Sequence, residues 1–127
     1  MAKYDTAKLL RFAEYEAKKW WMEARMAFGD KIGVMPKIEM NARLTATAGR
    51  AFYTLDKCDF SCYLMERDPN YFANNTIPHE LAHIIAWRLY RDNGHGKAWK
   101  SIALELYGDN SRCHSMGTKS RHEKGLK

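Results

Sequence analysis

The sequence predicts an α+β fold: a small three-stranded sheet packed on a long N-terminal helix and on a second helix that carries the pentad H-E-x-x-H. Three observations predict it. Two segments, 5–28 and 75–91, repeat their apolar residues at helical spacing. The stretch between them, 33–64, breaks into short runs rich in aromatic and β-prone residues, punctuated by Gly33 and Pro36. And 127 residues with 46% hydrophobic content suit a single domain with one modest core.

The elements follow in order. Asp5 or Thr6 can cap the first helix, and Leu9, Leu10, Ala13, Ala17, Trp20, Trp21 and Ala24 form its apolar stripe up to Gly29. The opposite face carries Lys8, Arg11, Lys18, Lys19 and Arg25, diluted by Glu14, Glu16 and Glu23, which reads most simply as a solvated face. K-I-E-M-N (37–41), G-R-A-F-Y-T-L (49–55) and D-F-S-C-Y-L (59–64) are the three strands, with D-K-C-D (56–59) as a hairpin turn between the last two. Residues 68–74 make a turn or a short helix entry. Asn74, Asn75 and Thr76 are capping residues for the second long helix, and Pro78 fits its first turn. Asn93-Gly94 ends that helix, and a third runs from about Gly96 to Tyr107, stopped by Gly108. A mobile basic tail is expected from about residue 115.

Composition limits the function classes. No run of 18 apolar residues exists, so no membrane helix is expected. The N-terminal residues lack an apolar run followed by a small-residue cleavage site, so a cytoplasmic protein is expected. Three cysteines cannot pair completely within one chain; Cys58 and Cys62 form an isolated C-x3-C, Cys113 stands alone, and structural thiols are expected. The net charge of +6 and pI near 9.3 attract polyanions, so contact with DNA through the basic surface stands beside simple solubility.

The chemistry concentrates in I-P-H-E-L-A-H-I-I-A-W, residues 77–87. Positions i and i+4 share one helix face, about 5–6 Å apart at Cβ. His79 and His83 can therefore turn their imidazoles onto one metal ion. Glu80 lies about 100° round the helix. It misses the metal but reaches a water bound there, as a general base must. The competing reading is a core helix with two hydrogen-bonded histidines; a buried Glu80 would then have no purpose. A third ligand is needed, with His95, His114, His122 or an acidic residue as candidates. His95 sits just past the helix end between Gly94 and Gly96, which would let the chain turn back towards the pair. Imidazole ligands favour Zn²⁺.

These motifs, taken in register, resemble the SprT-like zinc metallopeptidases, related to the eukaryotic Spartan proteases. Thr47-Ala48-Gly49 followed by Ala51 matches the family's T-A-G-x-A segment, Ile77 to His83 its catalytic helix entry, and Gly94-His95-Gly96 through Trp99 its H-G-x-x-W element. The resemblance runs from about Arg43 to His114. It implies a zincin-like fold, His79, His83 and His95 as zinc ligands, Glu80 as catalytic base, a protein or peptide substrate, and, by analogy with eukaryotic members, proteins associated with DNA. His114 falls where the family often has a histidine; it either faces the substrate or is packed. Many bacterial members carry a C-terminal zinc ribbon with paired cysteines, and this sequence has no such pairs after Cys113. A minimal, monomeric form is expected. The reading from another class is a nucleic-acid-binding module whose zinc is structural or idle, closed by a fourth ligand such as Cys113 or His114.

Overall fold

The computed structural model describes residues 3–111. Its architecture is α+β, as the sequence predicts. Helix α1 spans Thr6–Phe28, and Asp5 caps it by accepting from the Lys8 amide at 3.1 Å. Its buried face is Ala13, Ala17, Trp21 and Ala24; the three alanines let the helix lie close to the sheet and the central helix. Gly29 stops it at φ +88°, a backbone conformation that disfavours a side chain.

The sheet holds strands β1 (Lys37–Asn41), β2 (Gly49–Phe52) and β3 (Lys57–Ser61) in the order β1-β3-β2. β3 pairs in parallel with β1 and antiparallel with β2, so β2 lies at one edge. Two boundaries differ from expectation. The hairpin turn falls at residues 53–56, where Asp56 takes φ +57°, so β2 is shorter and β3 starts two residues earlier than the composition suggests. β3 also ends at Ser61 rather than continuing through Cys-Tyr-Leu. The Ser61 hydroxyl accepts from the Leu64 amide at 3.0 Å and starts helix α2 (Cys62–Arg67), so a cap overrides β-propensity.

Helix α3 (Pro69–Tyr71) is capped by Asp68 and runs into a π-helical segment, Phe72–Thr76, and then into α4 (Ile77–Tyr90) without a break. Asn74, Asn75 and Thr76 are therefore not caps: Thr76 is already helical and makes no side-chain cap bond. Pro78 lacks an N–H for the turn before it, and the wider turn, with the Ile77 amide bonded to the Phe72 carbonyl, accommodates that loss. Every residue from Ile77 to Ala86 is buried, so α4 is the central helix. It ends earlier than Asn93-Gly94, at Arg91, which adopts the left-handed conformation with φ +57°. Helix α5 (Lys97–Tyr107) packs along α4 and is closed by Gly108 at φ +76°. The core gathers Trp99, Phe60, Phe72, Leu81, Ile84 and Ile85. Among the described residues no helix is long and apolar enough to cross a membrane.

Candidate metal centre

His79 and His83 project from one face of α4 with ring centroids 5.0 Å apart. His95 reaches them from the α4–α5 loop. The device that folds this loop is Asp92. Its carboxylate accepts from the Gly94 amide at 3.1 Å and the Trp99 amide at 3.0 Å, tying the loop to the first turn of α5. Hydrogen bonds from the backbone amides of Trp99, Gly94 and Gly96 hold the Asp92 carboxyl below its ordinary range, against an opposing effect of burial that would raise it. The two glycines differ in purpose. A Cβ on Gly96 would stand 2.9 Å from an Asp92 carboxylate oxygen, whereas a Cβ on Gly94 would meet nothing within 4 Å. Neither is left-handed; Arg91 makes that turn.

The three Nε2 atoms converge. His83 and His95 approach to 3.1 Å, and His95 and His79 to 3.3 Å. Two ligands about 2.0–2.1 Å from a tetrahedral ion stand about 3.3–3.4 Å apart. The donor set thus matches a small divalent ion with imidazole ligands, and His79, His83 and His95 can hold one metal. Trp99 forms the floor: its indole stacks on His83 at 5.2 Å and meets His95 edge-on at 4.6 Å. Its Nε1 donates to the His79 carbonyl at 3.4 Å. Behind His79, Nδ1 lies 3.3 Å from the hydroxyl of Tyr107, which burial keeps well above its ordinary pKa range, with Asp109 and Glu80 adding to the effect.

Glu80 is 4% exposed, and its Oε2 lies 3.9 Å from His79 Nε2. In the metal-free chain burial pushes its carboxyl up to about 8, with the negative charge of Asp59 a smaller contribution. Asp59 is itself buried and is held by a two-point contact with Arg50, at 3.0 and 2.6 Å, and by Asn41 at 3.1 Å. β2 passes directly over Glu80: a Cβ on Gly49 would stand 3.1 Å from Glu80 Cγ and 2.9 Å from the Phe60 ring. That close approach explains the glycine of T-A-G physically. Cys58 is a buried free thiol whose Sγ lies 3.9 Å from the Glu80 carbonyl, and burial raises its pKa; Cys62 is also buried and free.

The structure therefore places His79, His83 and His95 together with Glu80 alongside. Cys113, His114, His122 and the basic tail lie outside the described residues. Sequence reading missed Asp92 and Tyr107. Asp92 carried a signal, since an Asp followed two residues later by glycine favours a local side-chain-to-backbone turn. Tyr107, 28 residues after His79, carried none.

Comparison with known proteins shows the family to which the chain belongs. The SprT-like family model matches residues 17–119. Protein SprT of Vibrio parahaemolyticus is 32% identical over 99 residues, covering 74% of this chain and 59% of that protein. Protein SprT of Actinobacillus succinogenes is 31% identical over 81 residues, covering 63% and 47%. Protein SprT of Pseudomonas aeruginosa is 34% identical over 77 residues, covering 58% and 47%. The chain thus spans about half the length of the curated relatives it matches. No solved structure matches. With most of its length matched by the family model, the chain belongs to the SprT-like family.

Proposed function

We propose that this protein is a zinc-dependent metalloprotease that hydrolyses peptide bonds, with His79, His83 and His95 as zinc ligands and Glu80 as general base. The observation that carries the reading is the convergence of three imidazole Nε2 atoms beside a buried carboxylate. Among the described residues the cluster offers three donors, His79, His83 and His95, which would hold the ion, and three protein ligands is the count of a catalytic site.

A zinc ion held there supplies Lewis acidity, bringing the pKa of a bound water towards neutrality and polarising the scissile carbonyl. The protein's own part is proton traffic and orientation. Glu80 accepts a proton from the attacking water and delivers it to the leaving amine. Its burial suits that work, because a carboxylate freed from solvent is a stronger base than an exposed one. Trp99 and the α4 backbone hold the imidazoles in place.

The test is cleavage of an unfolded protein substrate by the zinc-loaded chain. Glu80→Gln is expected to keep zinc and lose hydrolysis; cleavage by this variant at the wild-type rate overturns the base assignment. His83→Ala is expected to lose zinc and activity together, and full zinc content by metal analysis contradicts the ligand assignment. X-ray absorption separates the enzyme from the structural-zinc reading: three nitrogens and one oxygen support the enzyme, an added sulfur the closed site. The net charge of +6 supports substrates presented on nucleic acid.

A further inference from the structure

A neutral imidazole carries a single proton. In this cluster the Nε2 of His79 faces His95 Nε2 at 3.3 Å, while its Nδ1 faces the Tyr107 hydroxyl at 3.3 Å. Two arrangements of hydrogen fit the second contact. The hydroxyl can donate to Nδ1, which leaves the proton on Nε2 and blocks that atom as a ligand. Alternatively, Nδ1–H donates to the Tyr107 oxygen, and the Nε2 lone pair is free to point into the cluster. Only the second is compatible with the convergence of the three Nε2 atoms on a metal.

Tyr107 is held for this by three elements. It is the last residue of α5, and Gly108 closes the helix behind it by donating its amide N–H to the Leu104 carbonyl at 2.9 Å. Its ring meets Trp20 of α1 edge-on at 6.4 Å, and Trp20 donates to the Ala73 carbonyl of the π-helical segment at 2.6 Å. Next along the chain, Asp109 accepts from Asn75 of the same segment at 3.0 Å. The phenol is thus braced against the turn from which α4 and His79 emerge.

We propose that Tyr107 is the positioning residue of the metal centre, accepting the Nδ1 proton of His79 and so fixing the tautomer and ring orientation that present Nε2 to the metal. The inference rests on the three-histidine reading of the site, and its test separates the two.

In the metal-free protein with ¹⁵N-labelled histidine, the His79 ring is expected in the Nδ1–H tautomer. Tyr107→Phe, which keeps the ring against Trp20, is expected to shift it towards a mixture. The same substitution is expected to weaken zinc binding about 10-fold or more, measured by competition with a chromophoric chelator. The thermal midpoint of the metal-free variant reports whether the fold is intact. Unchanged zinc affinity in Tyr107→Phe overturns the proposal, as does coordination of zinc by His79 through Nδ1. Should the variant not fold, the wild-type spectrum decides: an Nε2–H tautomer at His79 overturns the proposal, and an Nδ1–H tautomer supports it. A wild-type chain that binds no zinc sinks the metal reading instead, and the His79 tautomer still decides the role of Tyr107.

Discussion

Gly49 and Glu80 are so close that a single added methyl on the strand would stand 3.1 Å from Cγ of the carboxylate side chain. Gly49→Ala must displace either Glu80 or the Phe60 ring, which the same methyl would meet at 2.9 Å. The atoms nearest that methyl belong to Phe60 and Glu80 rather than to a histidine, so zinc affinity is expected to hold while hydrolysis falls at least 10-fold. Overpacking is expected to destabilise the fold by about 1–3 kcal/mol, read by urea unfolding. Wild-type turnover in this variant would show that Glu80 is free to move aside.

The two glycines around His95 provide a paired test. Gly96→Ala drives a methyl into the Asp92 carboxylate and is expected to loosen the loop and weaken zinc binding. Gly94→Ala meets open space at an unstrained backbone and is expected to bind zinc as the wild type does. Asp92→Ala removes the acceptor for the Gly94 and Trp99 amides; it is expected to cost about 1 kcal/mol in stability and to resemble Gly96→Ala in zinc affinity. Equal affinities for Gly94→Ala and Gly96→Ala would count against Asp92 as the organiser of the loop.

Glu80 sets a pH dependence in the metal-free chain. Its carboxyl titrates near 4.5 when unfolded and is raised to about 8 when folded. Between those values the folded state binds the extra proton, so raising the pH across this window lowers stability. Below about 4.5 both states are protonated and this contribution vanishes. Glu80→Gln removes the effect, because the amide carries no titrating proton. With a chelator present, the melting temperature of Glu80→Gln is expected to exceed that of the wild type by a margin that widens from pH 5 to pH 8. A constant margin would refute the assignment.

Charge supplies the remaining prediction. A +6 chain that binds nucleic acid does so by displacing counterions, so its affinity for single- and double-stranded DNA is expected to fall steeply between 50 and 200 mM salt, roughly log-linearly. A flat salt response, or no binding at low salt, removes DNA from the functional reading.

Much of this was legible in the chain of letters, for identifiable reasons. α1 was readable because Ala13, Ala17, Trp21 and Ala24 repeat at helical spacing between an Asp5 cap and Gly29. The pairing of His79 and His83 followed from helix geometry alone. The end of β3 was misread because Tyr63, following Phe60, favours a strand in isolation, and the Ser61 cap redirects the chain into a helix. The entry to α4 was misread because Asn74, Asn75 and Thr76 look like caps, whereas Pro78 is absorbed by a π turn. His95 was found for a partly mistaken reason: the left-handed turn belongs to Arg91, which no composition rule flags. Tyr107 was invisible, because its bond to His79 exists only after α5 has docked on α4.

The burial of α4 from Ile77 to Ala86 has a consequence for how this chain could be engineered. Its two histidines and its carboxylate occupy interior positions that apolar residues would fill more favourably. A variant with Leu or Met at positions 79, 80 and 83 is expected to lose metal binding, yet to melt at a higher temperature than the metal-free parent. Screening for thermal robustness without a selection for catalysis would therefore drive this protein towards erasing its own pentad.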